Sequence, residues 1–245
     1  MENIIDKNYT QRYQDQKYIS KRYQTAGRLV NLFKKLEIFK SNRKILDAGC
    51  GSGELGEILI KECNLMAYGT DINNVAIKKS KQRGLITKKS DITKKWPFTD
   101  GFFDYVINTQ TIEHIVDTDF FLLENKRVLK KGGLIIVNTP NLGAWFNRIL
   151  LLLGYQPFFT EVSTYDKTLG LKFTRKITPI RKPLGHLRVF TLRALIDLLE
   201  LHGFEIIIVK GFAVNYFPWQ MSIIDRVFSN FPSLASDLVI VARKK

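Results

Sequence analysis

Short apolar runs alternate along the chain with longer stretches in which apolar residues return every three or four positions. The runs at Lys44–Ala48, Met66–Thr70, Leu85–Lys88, Phe103–Asn108, Leu134–Asn138, Phe204–Lys210 and Asp237–Ala242 predict strands. Residues 18–37 place Leu29, Leu32, Phe33 and Leu36 on one stripe, the spacing of a helix that buries one face. Glu54–Lys61, Asn74–Arg83 and Asp119–Leu129 read as further helices, with Gly84 stopping the second and Gly132-Gly133 the third. Thr191 can cap a last helix carrying Leu192, Leu195, Ile196 and Leu199, closed by Gly203. Strands that alternate with helices predict an α/β fold: a seven-stranded, mostly parallel sheet with helices on both faces.

Two stretches break the alternation, residues 142–190 after strand five and residues 213–235 between strands six and seven. Both leave the carboxyl ends of strands, where open α/β sheets bind ligands. Connections this long usually form a lid or a binding element. No repeat or low-complexity linker divides the chain. The expected organisation is one domain over 1–245, with an N-terminal helical segment at 1–40 and a substrate-side insertion, an inserted lid, at 142–190. The insertion holds Trp145-Phe146, the run Ile149–Leu153 and Tyr155-Gln156-Pro157-Phe158-Phe159, and the second stretch holds Tyr216-Phe217-Pro218-Trp219-Gln220-Met221. Such runs read as buried core. They also suit the wall of a site for an amphiphilic substrate, with Arg175, Lys176, Arg181 and Lys182 near its anionic group.

The 245 residues are 45% apolar, enough for a sizeable core. Cys50 and Cys63 have no metal-ligand spacing and fit a reducing compartment. Met1–Gln16 lacks the apolar centre of a signal peptide, and no apolar run approaches the roughly 20 residues of a membrane span. The expectation is a soluble cytoplasmic protein, with the inner face of the membrane as a peripheral station. A net charge of +15 admits nucleic acid, an anionic membrane surface, a phosphorylated substrate or simply a lysine-rich surface.

The chemistry concentrates in Lys44–Gly53, where an apolar run ends in Asp47 and glycines follow at 49, 51 and 53. Glycines there let a ligand touch backbone. A dinucleotide fingerprint would place its third glycine where Glu54 stands, and Glu54 and Asp47 would repel a diphosphate. Both acids suit a ligand with a cationic amino-acid end and no phosphate. Asp71 ends strand two, placed to accept from two ribose hydroxyls or to cap the next helix, and Ile72 offers an apolar face. Asp91 could accept from an adenine amino group or serve as a turn residue, with Ile92 beside it.

In order and spacing Asp47, Gly49, Cys50, Gly51, Gly53, Asp71 and Asp91 resemble the class I S-adenosylmethionine-dependent methyltransferases, as does Pro97-Phe98 through Ile107. Gln110-Thr111-Ile112-Glu113-His114, Gly133–Asn141 and His186-Leu187-Arg188-Val189-Phe190 resemble a small-molecule branch. That branch includes ubiquinone-biosynthesis O-methyltransferases and enzymes of surface-glycan synthesis. The resemblance implies a Rossmann-like sheet and S-adenosyl-L-methionine as cofactor. It adds Ile72, Ile92, Asn108 and Thr109 to the residues expected to bind it. The implied acceptor is a small molecule or a lipid-linked glycan-type compound.

His114 is the candidate general base, because neutral imidazole can take a hydroxyl proton near physiological pH. Alternatively it only pins its loop. Glu113 could orient it or support the next turn. One Glu-His pair does not identify a metal site, so none is expected. Nucleic acid is disfavoured as acceptor: Asn108-Thr109-Gln110-Thr111 lacks the Pro-Pro-aromatic signature of adenine-amino enzymes, and neither cysteine follows a proline.

Overall fold

A computed structural model describes residues 10–176, 182–214 and 219–245. Seven strands form one mostly parallel sheet: β1 (Lys44–Ala48), β2 (Met66–Asp71), β3 (Ile86–Lys89), β4 (Phe103–Thr109), β5 (Leu129–Pro140), β6 (Phe204–Phe212) and β7 (Asp237–Lys244). Their order is β3-β2-β1-β4-β5-β7-β6. β1 pairs in parallel with β2, Asp47 opposite Gly69, and with β4, Asp47 opposite Ile107. The chain therefore reverses its direction of travel across the sheet at β1 and β4, which opens a crevice at their carboxyl ends.

The helices follow their sequence signals. Asp15 caps α1 (Gln16–Lys35) by accepting from the backbone of Lys17 and Tyr18, and the apolar stripe Ile19, Ala26, Leu29, Val30 and Phe33 is buried. α2 (Glu54–Cys63) leaves the glycine turn directly, and Asn73 caps α3 (Asn74–Gln82) through the Val75 and Ala76 amides. α4 spans Thr118–Val128. Gly132-Gly133 is not its stop: extended backbone begins at Leu129, and the glycines turn the chain inside β5. A Cβ on Gly133 would lie 2.9 Å from the Lys130 carbonyl oxygen and 3.0 Å from that of Asp104, which explains the bare residue. Thr191 caps α6 (Leu192–Leu201) as expected.

The chain forms two compact units. One comprises residues up to Thr109 with Phe120–Ile135 and Lys244–Lys245, and its core includes Phe33, Ile45, Leu46, Leu59, Trp96, Phe103 and Phe121. The other comprises Gln110–Asp119 and Ile136–Arg243, with a core of Ile136, Val137, Leu195, Leu199, Phe204 and Ile240. This second unit contains two helices that periodicity did not single out, α5 (Trp145–Leu152) and α7 (Trp219–Phe228). Buried Asp225 ties them together. It accepts from Trp145 Nε1 at 3.1 Å, from the Val214 amide at 2.9 Å and from Ser236, while Trp145 stacks on Phe228. Within Ile149–Leu153 only Leu150 is buried. The reading of that run as core is corrected: an eight-residue helix with one inward face leaves the other four residues exposed.

Candidate active site

In the first unit the glycine turn is lashed to the end of β2. The amides of Gly49 and Cys50 both donate to the Thr70 carbonyl, at 2.9 and 3.0 Å, and the Gly51 amide donates to Asp71 Oδ2 at 2.9 Å. Gly51 and Gly53 have φ of 53° and 86°, the left-handed region that favours glycine. A Cβ on Gly53 would stand 2.7 Å from Ser80 Cβ, so this turn cannot carry a side chain. Cys50 is buried against Gly69, and burial pushes its thiol up.

Three acids meet here. Asp47 is buried and makes no hydrogen bond among the described residues. Burial pushes its carboxyl up to about 7; Arg22 opposes the shift, while Asp71 and Glu54 add to it. Asp71 accepts on Oδ2 from Gly51 and on Oδ1 from the Asn73 amide at 2.9 Å, and burial raises it against those bonds. Each oxygen keeps a second lone pair for a ribose hydroxyl. Glu54 is neutralised internally by Arg22 at 2.8 Å, Arg83 at 3.7 Å and the Ser52 hydroxyl. The repulsion that the sequence assigned to Glu54 is therefore largely cancelled, and Asp47 remains the uncompensated acid. A buried carboxyl without a hydrogen bond, beside glycines that expose backbone, fits the cationic amino-acid end of S-adenosylmethionine.

The other expected cofactor residues divide. Ile72 is 56% exposed next to Asp71, available as an apolar platform. Asp91 behaves more as a turn residue. Its Oδ1 accepts from the Thr93 amide and hydroxyl and Lys94 lies 3.5 Å from Oδ2; burial works upward on it, but these partners outweigh it and hold it low. The Ile92 carbonyl accepts from Trp96 Nε1. Asn108 turns its buried amide to Asn125 Oδ1 at 2.9 Å, while Thr109 ends β4.

Sequence reasoning missed Arg22. Its guanidinium comes from α1, contacts Glu54 and donates to the Cys50 carbonyl at 3.4 Å, reaching the turn that a Cβ on Gly51 would block at 2.8 Å. Its sequence signal was faint, one cation on the polar side of a helix far from the motif.

The second unit gathers a different set. Ile112–His114 forms a single 3₁₀ turn. His114 Nδ1 lies 2.9 Å from the Gly185 carbonyl oxygen and His186 Nδ1 lies 3.0 Å from that of Phe159. A carbonyl only accepts, so each neutral ring carries its proton on Nδ1 and its lone pair on Nε2. The rings pack edge to face with centroids 4.9 Å apart. Glu113 is fully buried: Oε2 accepts from the Thr139 hydroxyl at 3.0 Å, Oε1 has no hydrogen-bond partner among the described residues, and burial pushes the carboxyl up to about 8. Its backbone carbonyl takes the amides of Leu187 and Arg188. One donor atom from each of Glu113, His114 and His186 lies within 4.8 Å of the others, a trio that the Glu-His pair alone did not disclose.

Glu161 was also missed. Its carboxylate accepts from three consecutive amides, Leu184 at 2.6 Å, Gly185 at 2.7 Å and His186 at 3.3 Å. It thus fixes the segment whose carbonyl orients His114. The cation group expected near an anionic substrate is only partly on view. Arg175 is engaged by Asp166 at 2.7 Å and by Thr168 at 2.9 Å, whereas Arg181 and Tyr216-Phe217-Pro218 lie outside the described residues.

A model of the methyltransferase domain matches residues 16–209. Among curated proteins, the chain is 33% identical over 116 residues to a ubiquinone biosynthesis O-methyltransferase of Bartonella bacilliformis, 45% of this chain and 46% of that one. To the protein of the same description from Ruegeria pomeroyi it is 28% identical over 193 residues, 76% and 69% of the two chains. The chain spans less than half the length of the first relatives it matches. A solved S-adenosylmethionine-dependent methyltransferase of Thermotoga maritima, described as a possible histamine N-methyltransferase, superposes with a TM-score of 0.63 at 17% identity, covering 98% of this chain and 99% of that one.

Proposed function

Because the chain belongs to the methyltransferase-domain family, whose cofactor is S-adenosylmethionine, we propose that it methylates a hydroxyl of a small-molecule or lipid-linked, glycan-type acceptor. The cofactor supplies an electrophilic methyl on a sulfonium, which becomes a neutral thioether when the methyl leaves. Asp47 attracts the ammonium, Arg22 the carboxylate and Asp71 the ribose hydroxyls, with Gly51 and Gly53 keeping the turn open. The family pattern adds Ile92 and Thr109 to the lining, while the Asp91 and Asn108 side chains are engaged by Thr93 and Asn125 and are assigned no cofactor contact. Aligning the two reactants is the largest service the protein renders, worth several kcal/mol of barrier.

The observation that carries the choice of a hydroxyl is the His114 tautomer. With Nδ1–H spent on Gly185, Nε2 is the basic nitrogen, suited to take the acceptor proton as the methyl arrives. The ubiquinone-type relatives act on oxygen by description, which supports the same choice. Incubation with methyl-labelled S-adenosylmethionine against quinol, glycan, lipid-linked saccharide and RNA acceptors tests it. His114→Ala should lower turnover by about 10²–10⁴-fold with cofactor affinity nearly unchanged. Wild-type turnover in that variant, or labelling of RNA alone, defeats the reading.

A second reading rests on the Glu113, His114 and His186 trio, whose spacing admits a divalent cation. Two imidazoles and a carboxylate form a common ligand set for such ions. Activity that falls on dialysis against chelator and returns with added metal would favour it over a metal-free base.

A further inference from the structure

The exposed large apolar residues are distributed unevenly. Among the described residues four of them, Met66, Ile72, Ile86 and Leu123, belong to the first unit, whereas the insertion alone exposes nine. At the end of α5 several of them follow one another in the chain. Leu152 is 87% and Leu153 63% exposed, the chain runs on to Tyr155, and the Tyr155 ring meets Phe173 edge to face at 5.2 Å. The inner face of the same helix is fixed by buried Phe146, Asn147 and Leu150, with Asn147 accepting from the Phe158 amide at 2.7 Å. The outer face therefore cannot fold inward by rolling the helix. Exposed Lys172 lies next to Phe173, and residues 142–190 carry eight lysines and arginines against two acids, Glu161 and Asp166.

We propose that this tip, Leu152, Leu153, Tyr155, Phe173 and Lys172, docks the protein on an anionic lipid bilayer. The charge selects the occupant. A second copy meeting the tip about a two-fold axis would bring like charge against like charge on an already basic chain. A nucleic acid would satisfy Lys172 but leave the leucines in water. A bilayer offers hydrocarbon for the leucines, an interfacial zone for the aromatic pair and headgroup phosphate for the lysine. No helix among the described residues is long and apolar enough to cross a membrane, so the contact is with one leaflet. The inference stands apart from the acceptor's identity.

Flotation of the full chain with vesicles of phosphatidylcholine, with and without phosphatidylglycerol, tests it. The wild type should float with the anionic vesicles only, and less so at high salt. The pair Leu152→Glu and Leu153→Glu should lose at least about tenfold in vesicle affinity, and Lys172→Glu about fivefold or more, given the worth of a surface cation near such lipids. Ile86→Glu, which removes an exposed apolar residue of the first unit, should bind as the wild type. Circular dichroism and cofactor titration check that each variant is folded. Equal binding by the double variant overturns the proposal. So does absence of vesicle binding, or a wild-type dimer that the double variant abolishes.

Discussion

Asp47 is the residue whose charge state should govern cofactor affinity. Its carboxyl is pushed up to about 7 by burial, with Asp71 and Glu54 adding to the effect against Arg22. An ammonium ligand binds the carboxylate and not the acid, so affinity should climb as pH rises through 7. Calorimetry between pH 6 and 7.5, where an ordinary α-amino group stays largely protonated, should show this climb, and Asp47→Asn should flatten it at lower affinity. A wild type with no slope would remove Asp47 from the ammonium site. Asp71→Ala should weaken binding by about 1.5–3 kcal/mol for each charged hydrogen bond lost. Part of that loss reflects the turn itself, since Asp71 also holds the Gly51 amide. Glu161 acts at one remove. Glu161→Gln leaves one acceptor oxygen and sets an NH₂ against the amides of Leu184–His186, freeing the Gly185 carbonyl from its place beside His114. Turnover should fall with KM for cofactor unchanged, and the nitrogen chemical shifts of His114 should report a mixed tautomer. Unaltered shifts would make Glu161 a mere loop tie.

At the scale of elements, the sheet and its flanking helices were legible because each depends on local signals. β1 is Lys44–Ala48 as read, and the Thr191 cap and the Gly203 stop sit where composition placed helix ends, while the helix read from Asn74 gains its cap from Asn73. The glycine turn was legible for a stronger reason: only glycine tolerates φ of 86° at position 53 with Ser80 against it. Gly53→Ala should therefore abolish measurable cofactor binding and lower Tm, whereas Gly101→Ala, which faces open space at φ 61°, should cost only backbone strain, about 1–2 kcal/mol. Equal losses in the two would show that crowding by Ser80 is not what demands the glycine. What stayed hidden was long-range. Arg22 meets Glu54 across 32 positions and His114 meets Gly185 across 71, and no periodicity encodes either. The apolar run Ile149–Leu153 misled for the converse reason: hydrophobicity forecast burial, but the helix has only one inner face to offer.

For the whole molecule, buried acids with raised carboxyls, Asp47 and Glu113 among them, make stability vary with pH. Asp47 and Glu113 hold protons up to about 7 and about 8 in the folded chain, in each case chiefly through burial. Unfolded, they would release them near ordinary carboxylate values, about 4. Folded-state values above the unfolded ones mean that the native state binds more protons between those limits. Stability should therefore decline as pH rises from about 5 to 8, by at most about 1.4 kcal/mol per unit for each acid while its native form stays protonated. The +15 charge works the other way, because self-repulsion eases as the pH climbs, so the net slope alone is ambiguous. Glu113→Gln resolves it: the amide keeps the volume, can still accept from Thr139 and carries no titrating proton. The gap in Tm between this variant and the wild type should widen in the variant's favour from pH 6 to 8. Saturating S-adenosylmethionine should restore only the part of the wild-type loss owed to Asp47, because that acid gains a cation when the cofactor binds. A gap that stays constant across this range would mean that Glu113 is ionised in the folded protein despite its burial, and would shift the weight toward a cation held with His114 and His186.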